Sequence, residues 1–149
     1  MSVTSPRHSV SVAAAVIDDR GRALAIRRRD NGHWEPPGGV LELGETIHDG
    51  LRREVAEETG LLVEPDALTG VYKNMTHGIV ALVFRCHVVG GTERTSSETD
   101  RIDWLTPDQI RERMTEAYAV RLLDALSNPD HPIIRAHDGV HLHTEPADA

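Results

Sequence analysis

Residues 39–61 carry six Asp and Glu side chains on a segment that also has helical periodicity. Ile47, Leu51 and Val55 recur at intervals of four, which predicts a helix over residues 46–59. Gly60 comes next, and glycine suits the left-handed position at which many helices end. Any fold of this chain therefore has to accommodate a helix whose final turns are crowded with acidic groups.

Glu54, Glu57 and Glu58 fall within an arc of roughly 100° on this helix and overlap its apolar sector, so they border the buried side. In water, like charges at these spacings repel by roughly a few tenths of a kcal/mol per pair, and the repulsion grows where water is excluded. A cation among them would remove this cost. Mg²⁺ prefers carboxylate and carbonyl oxygens together with substrate phosphates. The helix therefore predicts a magnesium-type site for phosphate chemistry, against the alternative of an ordinary charged surface helix.

The segment also resembles the Nudix box, which reads glycine, five residues, glutamate, seven residues, then Arg-Glu-aliphatic-any-Glu-Glu-any-Gly-aliphatic. The preceding residues 34–39 resemble the family's lead-in, although Pro36 stands where an aliphatic or small residue is more usual. Every fixed position of the box is filled, by Gly39, Glu45, Arg53, Glu54, Val55, Glu57, Glu58, Gly60 and Leu61.

The order of predicted elements suggests a mixed sheet between helices, and the resemblance implies an α/β fold of the Nudix type, an α/β/α sandwich. We expect residues 1–8 to be a flexible tail, 9–135 to be a single Nudix hydrolase domain and 136–149 to be a C-terminal tail or edge segment. The predicted strands cover residues 9–17, 23–28, 61–65, 68–74, 78–89 and 101–105, and the first two are expected to pair as a hairpin.

Two further helices are predicted. Thr106 and Pro107 suit the N-cap and first position of one of them. The other covers residues 118–126 and is expected on the sheet face away from the box helix. Cys86, the only cysteine, falls in a predicted strand and is interpreted as an inert core thiol rather than a reactive one. His137, His141 and His143 have loose metal-like spacing, but a tail or edge strand is the preferred interpretation.

The resemblance implies roles for the box residues. The predicted metal ligands for Mg²⁺ or Mn²⁺ are Glu54, Glu57, Glu58 and the Gly39 carbonyl. Arg53 is expected to orient a carboxylate rather than bind substrate. Glu45 has two open readings, a structural role with Arg53 or ligation.

A base that deprotonates or orients the attacking water is also expected, and either Glu54 or Glu98 fills this role. Glu98 precedes a strand that carries Trp104, as an acidic residue does in many family members. Asp100 is the alternative there, and a solvated loop charge is the simpler one. The predicted catalytic group is therefore Glu54, Glu57, Arg53 and Glu98.

Three residues ahead of the box are candidates for substrate binding. Arg27 and Arg29 carry guanidinium groups, which match phosphate oxygens in geometry, although for either one a solvated charge at the end of the hairpin is the preferred interpretation. Trp34 could stack on a base, but a place in the core or at the rim of the site is preferred.

The overall charge narrows the classes of partner. With 149 residues and a net charge of −8, the chain lacks the basic surface that a nucleic-acid backbone requires, whereas metal ions can still bridge it to a phosphorylated small molecule. No apolar run is long enough to span a bilayer. We expect a soluble cytoplasmic protein with no membrane or nucleic-acid partner, and a homodimer is left open.

The expected activity is metal-dependent hydrolysis of a diphosphate bond in a nucleoside diphosphate linked to another moiety. Nucleoside triphosphates, nucleotide sugars and dinucleotides all remain open, because Thr76, His77 and Gly78 stand where two subfamilies carry a proline or tyrosine signature. A non-catalytic nucleotide-sensing Nudix domain is the alternative from another class. Isopentenyl diphosphate isomerases share the fold but need a catalytic cysteine. Cys86 is predicted to lie in a core strand, so this enzyme class is not preferred.

Overall fold

Eight strands and three helices make up residues 4–143, the part of the chain that the computed structural model describes. The predictions for residues 1–3 and 144–149 lie outside this part. The strands are β1 (Ser9–Val16), β2 (Ala23–Arg28), β3 (Trp34–Glu35), β4 (Gly38–Val40), β5 (Leu61–Asn74), β6 (Ile79–Gly91), β7 (Thr99–Leu105) and β8 (Ile133–His137). The helices are α1 (Ile47–Thr59), α2 (Pro107–Arg113) and α3 (Glu116–Leu126).

The strands form two sheets. The larger has the order β4-β1-β6-β5-β8, and it is mixed because β1 runs parallel to β6 and β5 runs parallel to β8. The smaller sheet has the order β3-β2-β7 and is antiparallel. No helix in the described part of the chain is long and apolar enough to span a bilayer.

The large sheet is buried on both faces, and β1 shows how its sequence achieves this. Successive side chains of a strand point to opposite faces, so Val12 and Val16 belong to one core cluster while Ala13 and Ala15 belong to the other. The first cluster includes Leu51 and Val55 of α1, and the second includes apolar residues of α3. The prediction of an α/β/α sandwich with the last helix opposite the box helix is confirmed.

The predicted hairpin of β1 and β2 is wrong. A turn does join them, because Asp18 accepts the backbone N–H groups of Arg20 and Arg22. Beyond one isolated bridge between Ile17 and Ala23, however, the two strands belong to different sheets. Both edges of β1 are already occupied, one by β4 and the other by β6, so β2 turns away and pairs with β3 and β7.

The two strands predicted over residues 61–65 and 68–74 are one strand, β5, with register shifts against β6 at Pro65 and Leu68. Proline has no backbone N–H to donate to a neighbouring strand, so it is tolerated where one edge of a strand is free. Here β8 pairs only with Gly70–Asn74, so the edge beside Pro65 lacks a partner strand in the described structure.

The remaining expectations concern single residues. Thr106 is the N-cap of α2 and forms a capping box with Gln109. Cys86 is 1% exposed, and burial raises the pKa of its thiol to about 12, as expected of an inert core thiol. His137 lies on the edge strand β8 and is fully buried, whereas His141 and His143 follow as exposed residues.

Candidate active site

Helix α1 is fixed at both ends by the residues that delimit it in the sequence. Thr46 is the N-cap, its side chain accepting the backbone N–H of Asp49, so the helix begins at Ile47, one residue later than predicted. Gly60 ends the helix with φ 77°, a left-handed conformation that glycine adopts without strain. These caps fix the rotation of the helix and therefore the direction in which its carboxylates point.

Glu58 is the most buried of the box carboxylates. It is 8% exposed, and one of its oxygens accepts the backbone N–H of Gly38 at 2.9 Å. Burial raises the pKa of Glu58 to about 8, and repulsion from Glu54 adds to the shift. A buried carboxyl with a second one beside it favours a bound proton or a bound cation.

Glu54 lies against the backbone of Gly39. A Cβ atom placed on Gly39 would be 2.6 Å from the Glu54 carboxylate, closer than any real side chain approaches. A side chain at position 39 would therefore displace the Glu54 carboxylate from its present place. Glu54 and Glu58 both lie at strand β4 and act on each other, so these two predicted metal ligands are brought together beside Gly39. Ligation by the Gly39 carbonyl stays a prediction.

Arg53 connects three carboxylates of the box. Its Nε and Nη2 donate to the two carboxylate oxygens of Glu45 at 2.9 and 2.6 Å. Its Nη1 donates to Glu54 at 3.0 Å and to Glu57 at 3.2 Å. The Arg53 guanidinium lowers the pKa of Glu45 to about 2. Arg53 thus contacts carboxylates, and its orienting role and the structural role of Glu45 stay predictions.

The donor set suits a hard divalent cation. Glu54 and Glu58 provide carboxylate oxygens at a protected position, whereas Glu57 is 60% exposed beside Arg53. Within residues 4–143, no three acidic, imidazole or thiol groups stand together as a ready-made metal cage. Mg²⁺ commonly binds through one or two carboxylates and fills its other positions with water and substrate phosphates, so two convergent glutamates are sufficient.

The predicted base Glu98 lies in a different cleft. This cleft has a volume of about 330 Å³ and is lined by Arg28, Arg29, Asp30, Ser97 and Glu98, without a box glutamate. The Glu98 carbonyl accepts the backbone N–H of Arg29 at 2.9 Å. The structure therefore does not bring Glu98 into contact with Glu54, and its catalytic role stays a prediction.

The alternative residue Asp100 is engaged by Arg27. Nε and Nη2 of Arg27 donate to the two carboxylate oxygens of Asp100, each at 2.8 Å. Arg27, a candidate for phosphate binding, is therefore paired with a carboxylate in the described structure. Arg29 donates from Nε to the Ser96 carbonyl at 2.8 Å and lines the cleft with Glu98. Of the two arginines, Arg29 is thus the one that has no carboxylate partner within residues 4–143.

Trp34 is half-buried and packs against the core cluster on the α3 side. The guanidinium carbon of Arg113 lies 5.4 Å from its ring centroid. These contacts agree with the preferred interpretation of a core or rim residue. A role of Trp34 in stacking on a base stays a prediction.

A second cleft, which the sequence did not indicate, adjoins Gly38 and Gly39 of β4. Its volume is about 210 Å³, and Gly38, Gly39, Glu35, Tyr118 and Arg121 are among its lining residues. Burial raises the pKa of Glu35. The sequence carries one indication of this cleft. Arg121 is a charged residue between Val120 and Leu122, in an otherwise apolar stretch of α3.

Comparison with known proteins identifies the family of the chain. The family model described as NUDIX domain matches residues 7–126. A MutT-like protein of Streptomyces ambofaciens is 63% identical over 141 residues, which cover 95% of this chain and 91% of that protein. The 8-oxo-dGDP phosphatase NUDT18 of Homo sapiens is 34% identical over 134 residues, which cover 88% of this chain and 36% of the human protein.

Among solved structures, an ADP-ribose pyrophosphatase from Streptococcus suis superposes with a TM-score of 0.74 at 22% identity, covering 86% of this chain and 99% of that one. At this identity the likeness concerns the fold alone. The predictions of the family, the fold and a Nudix-type enzyme are confirmed. The chain belongs to the NUDIX domain family.

Proposed function

We propose that this protein hydrolyses a diphosphate bond in a nucleoside diphosphate linked to another moiety, with Mg²⁺ or Mn²⁺ as cofactor. The observation that carries the proposal is the convergence of Glu54 and Glu58 on the Gly38–Gly39 backbone. Two adjacent carboxylates at a protected position are costly without a cation, and a diphosphate needs a cation to approach an acidic surface.

The residues of the box divide the work. Glu54 and Glu58 would hold the cation, with the Gly39 carbonyl as a further ligand and Glu57 at the solvent side. A bound Mg²⁺ or Mn²⁺ neutralises phosphate oxygens and makes water more acidic. Arg53 fixes the carboxylates, since its guanidinium donates to Glu45, Glu54 and Glu57. Positioning and charge stabilisation supply most of the rate in such phosphorus chemistry.

Attack on phosphorus also requires a group that takes a proton from water. Glu54 is the preferred candidate, because it lies within the box and is held by Arg53. Glu98 is the second candidate, although it lines the cleft of Arg29 instead. Glu54→Gln and Glu98→Gln separate the two candidates. The variant that lacks the base should keep only a residual rate that does not depend on pH.

The substrate is proposed at the level of a class. Nucleoside triphosphates, nucleotide sugars and dinucleotides all carry the required diphosphate. The name of the human relative, 8-oxo-dGDP phosphatase, supports the inclusion of oxidised guanine nucleotides among the compounds to be tested.

The test is a screen of these compounds for release of phosphate, pyrophosphate or nucleoside monophosphate, with Mg²⁺ and with EDTA. Glu54→Gln, Glu57→Gln and Glu58→Gln are each expected to lower kcat by about 100-fold or more, as losses of transition-state stabilisation commonly do. Glu112→Gln on the exposed side of α2 is the matched control and should retain wild-type rates. Nucleotide binding without turnover would instead favour a sensing domain.

A further inference from the structure

Arg121 is a buried cation that lacks a hydrogen-bond acceptor. It is 8% exposed, it lines the cleft beside Gly38 and Gly39, and its Nε is buried without a partner in the described structure. It forms no ion pair with a carboxylate among residues 4–143. Glu35 is near enough for its charge to act on Arg121, but the two side chains form no hydrogen bond or ion pair. A buried charge whose hydrogen bonds are unmade is strongly unfavourable, so this arrangement points to a group that arrives from outside.

The nearest polar neighbour does not supply the acceptor. Nη2 of Arg121 lies 3.4 Å from Nε2 of His137, while Nδ1 of His137 accepts the backbone N–H of Gly139 at 2.9 Å. A neutral imidazole that accepts at Nδ1 carries its proton on Nε2. Burial, with the charge of Arg121 adding to it, lowers the pKa of His137 and favours this neutral form. Two donors therefore face each other.

Two tyrosine rings hold the guanidinium in place. Its central carbon lies 4.7 Å from the ring centroid of Tyr118 and 5.6 Å from that of Tyr72. Cation–π contacts of this kind stabilise the charge, but they offer no oxygen or nitrogen acceptor to the N–H groups of Arg121. The side chain is fixed while its hydrogen-bonding capacity stays unused.

Glu35 lines the same cleft and has the opposite character. Its side chain is 17% exposed, and one of its oxygens pairs with Arg28 at 3.3 Å. A carboxylate at this place repels a phosphate but accepts N–H groups. The cleft volume of about 210 Å³ is below the roughly 300–1,000 Å³ that encloses a whole drug-sized ligand. It suits one part of a nucleotide, such as the base.

We propose that Arg121 binds the O6 and N7 acceptors of a 6-oxopurine base, with guanine as the preferred base, while Glu35 accepts N–H groups from the opposite edge. The inference rests on the proposed function, because it places the base of the same nucleotide beside the box. Guanidinium groups pair bidentately with O6 and N7 of guanine. Adenine carries an amino donor in place of O6 and would repeat the donor–donor contact already made with His137.

The test is equilibrium binding of GMP, AMP and ribose 5-phosphate to the full chain in Mg²⁺, measured by calorimetry. GMP should bind roughly 10- to 100-fold more tightly than AMP, the range expected for one bidentate pair. R121M should reduce GMP affinity to the AMP level and leave ribose 5-phosphate unchanged. R121K keeps the charge without the planar fork and should lose the same preference, so it carries the test if R121M does not fold.

Arg135 provides a matched control with a purely structural place. Its Nε and Nη2 donate to the two oxygens of the buried Asp124 at 2.8 Å. R135M leaves that carboxylate without its cation and should lower Tm while the GMP preference persists. R121M removes an unpaired charge, so its Tm should stay at or above that of the wild type.

Three results would overturn the inference: equal wild-type affinity for GMP and AMP, failure of wild type to bind GMP, or an R121M defect as large for ribose 5-phosphate as for GMP. The third result would indicate a phosphate contact. Hydrolysis assays on wild type keep the two proposals apart. An inactive protein with an Arg121-dependent GMP preference contradicts only the proposed function, and an active protein without that preference contradicts only this inference.

Discussion

At the scale of single residues, the site depends on Glu58 and Glu54 sharing a protected position beside two glycines. Glu58 is 8% exposed and accepts one backbone N–H, which is too little to offset the loss of water around a full charge. The pair therefore favours a proton when no metal is bound and favours a cation otherwise. Stability, pH and metal concentration should be linked through this pair.

The first prediction concerns that linkage. The pKa of Glu58 in the folded protein is about 8, above the ordinary value of 4.5, so the unfolded chain releases this proton first as pH rises. In EDTA, stability should therefore fall between about pH 4.5 and 8 and level off above, by on the order of 1.4 kcal/mol per pH unit. Urea unfolding of wild type and Glu58→Gln checks it, because the variant should lack this fall. Identical pH profiles would contradict it.

The second prediction concerns the contact between Gly39 and Glu54. Gly39→Ala places a methyl group 2.6 Å from the Glu54 carboxylate and must displace it, so kcat should fall by about 10-fold or more. Gly44→Ala is the matched control, since a Cβ there meets nothing within 4 Å. Steady-state rates of both variants on the same substrate decide the matter. A Gly39→Ala enzyme as fast as Gly44→Ala would show that the position of Glu54 is unimportant.

At the scale of elements, the parts that the sequence predicted well are those set by local rules. Helix α1 lies between an N-cap and a left-handed glycine, and the box spacing alone puts its carboxylates on one edge. The pairing of β1 was not predictable in this way, because the turn at Asp18 is compatible with a hairpin. β4 and β6 occupy the two edges of β1 and so exclude β2, which is a tertiary effect.

The cleft of Arg121 was missed for the same kind of reason. Its walls come from β1, the end of β2, the β3–β4 segment and α3, and α3 is far from the others in the sequence. An arginine within the apolar stretch of α3 looks like a surface charge until the packing of Tyr72 and Tyr118 against it is known. Local patterns predicted the side of the site that carries the box carboxylates, and only the packing of distant elements defines the other side.

A third prediction tests how α3 is attached to the sheet. Asp124 is 7% exposed, accepts the Tyr72 hydroxyl at 2.8 Å and is paired with Arg135 of β8. Asp124→Ala should cost about 3 kcal/mol of unfolding free energy, because it leaves two donors without their acceptor. Tyr72→Phe removes only one hydrogen bond and should cost about 1 kcal/mol. Urea unfolding of both variants checks the order, and equal losses would contradict a shared acceptor.

At the scale of the whole molecule, the fold places positive side chains beside the box of a negatively charged protein, as the proposed anionic substrate requires. The net charge is −8, yet the cleft beside the box carries Arg28 and Arg121, and α1 presents carboxylates that a divalent cation can neutralise. The large sheet separates two cores, and β4 brings its glycines to the edge where α1 and the cleft meet. The position of the metal between these groups is therefore the central claim.

The most direct test is an anomalous difference map from crystals grown with Mn²⁺ and a nucleoside monophosphate. We predict a manganese peak coordinated by the carboxylates of Glu54 and Glu58, and its loss in a Glu54→Gln, Glu58→Gln double variant. A map with both side chains well ordered, and with no peak near them at saturating Mn²⁺, would contradict the account.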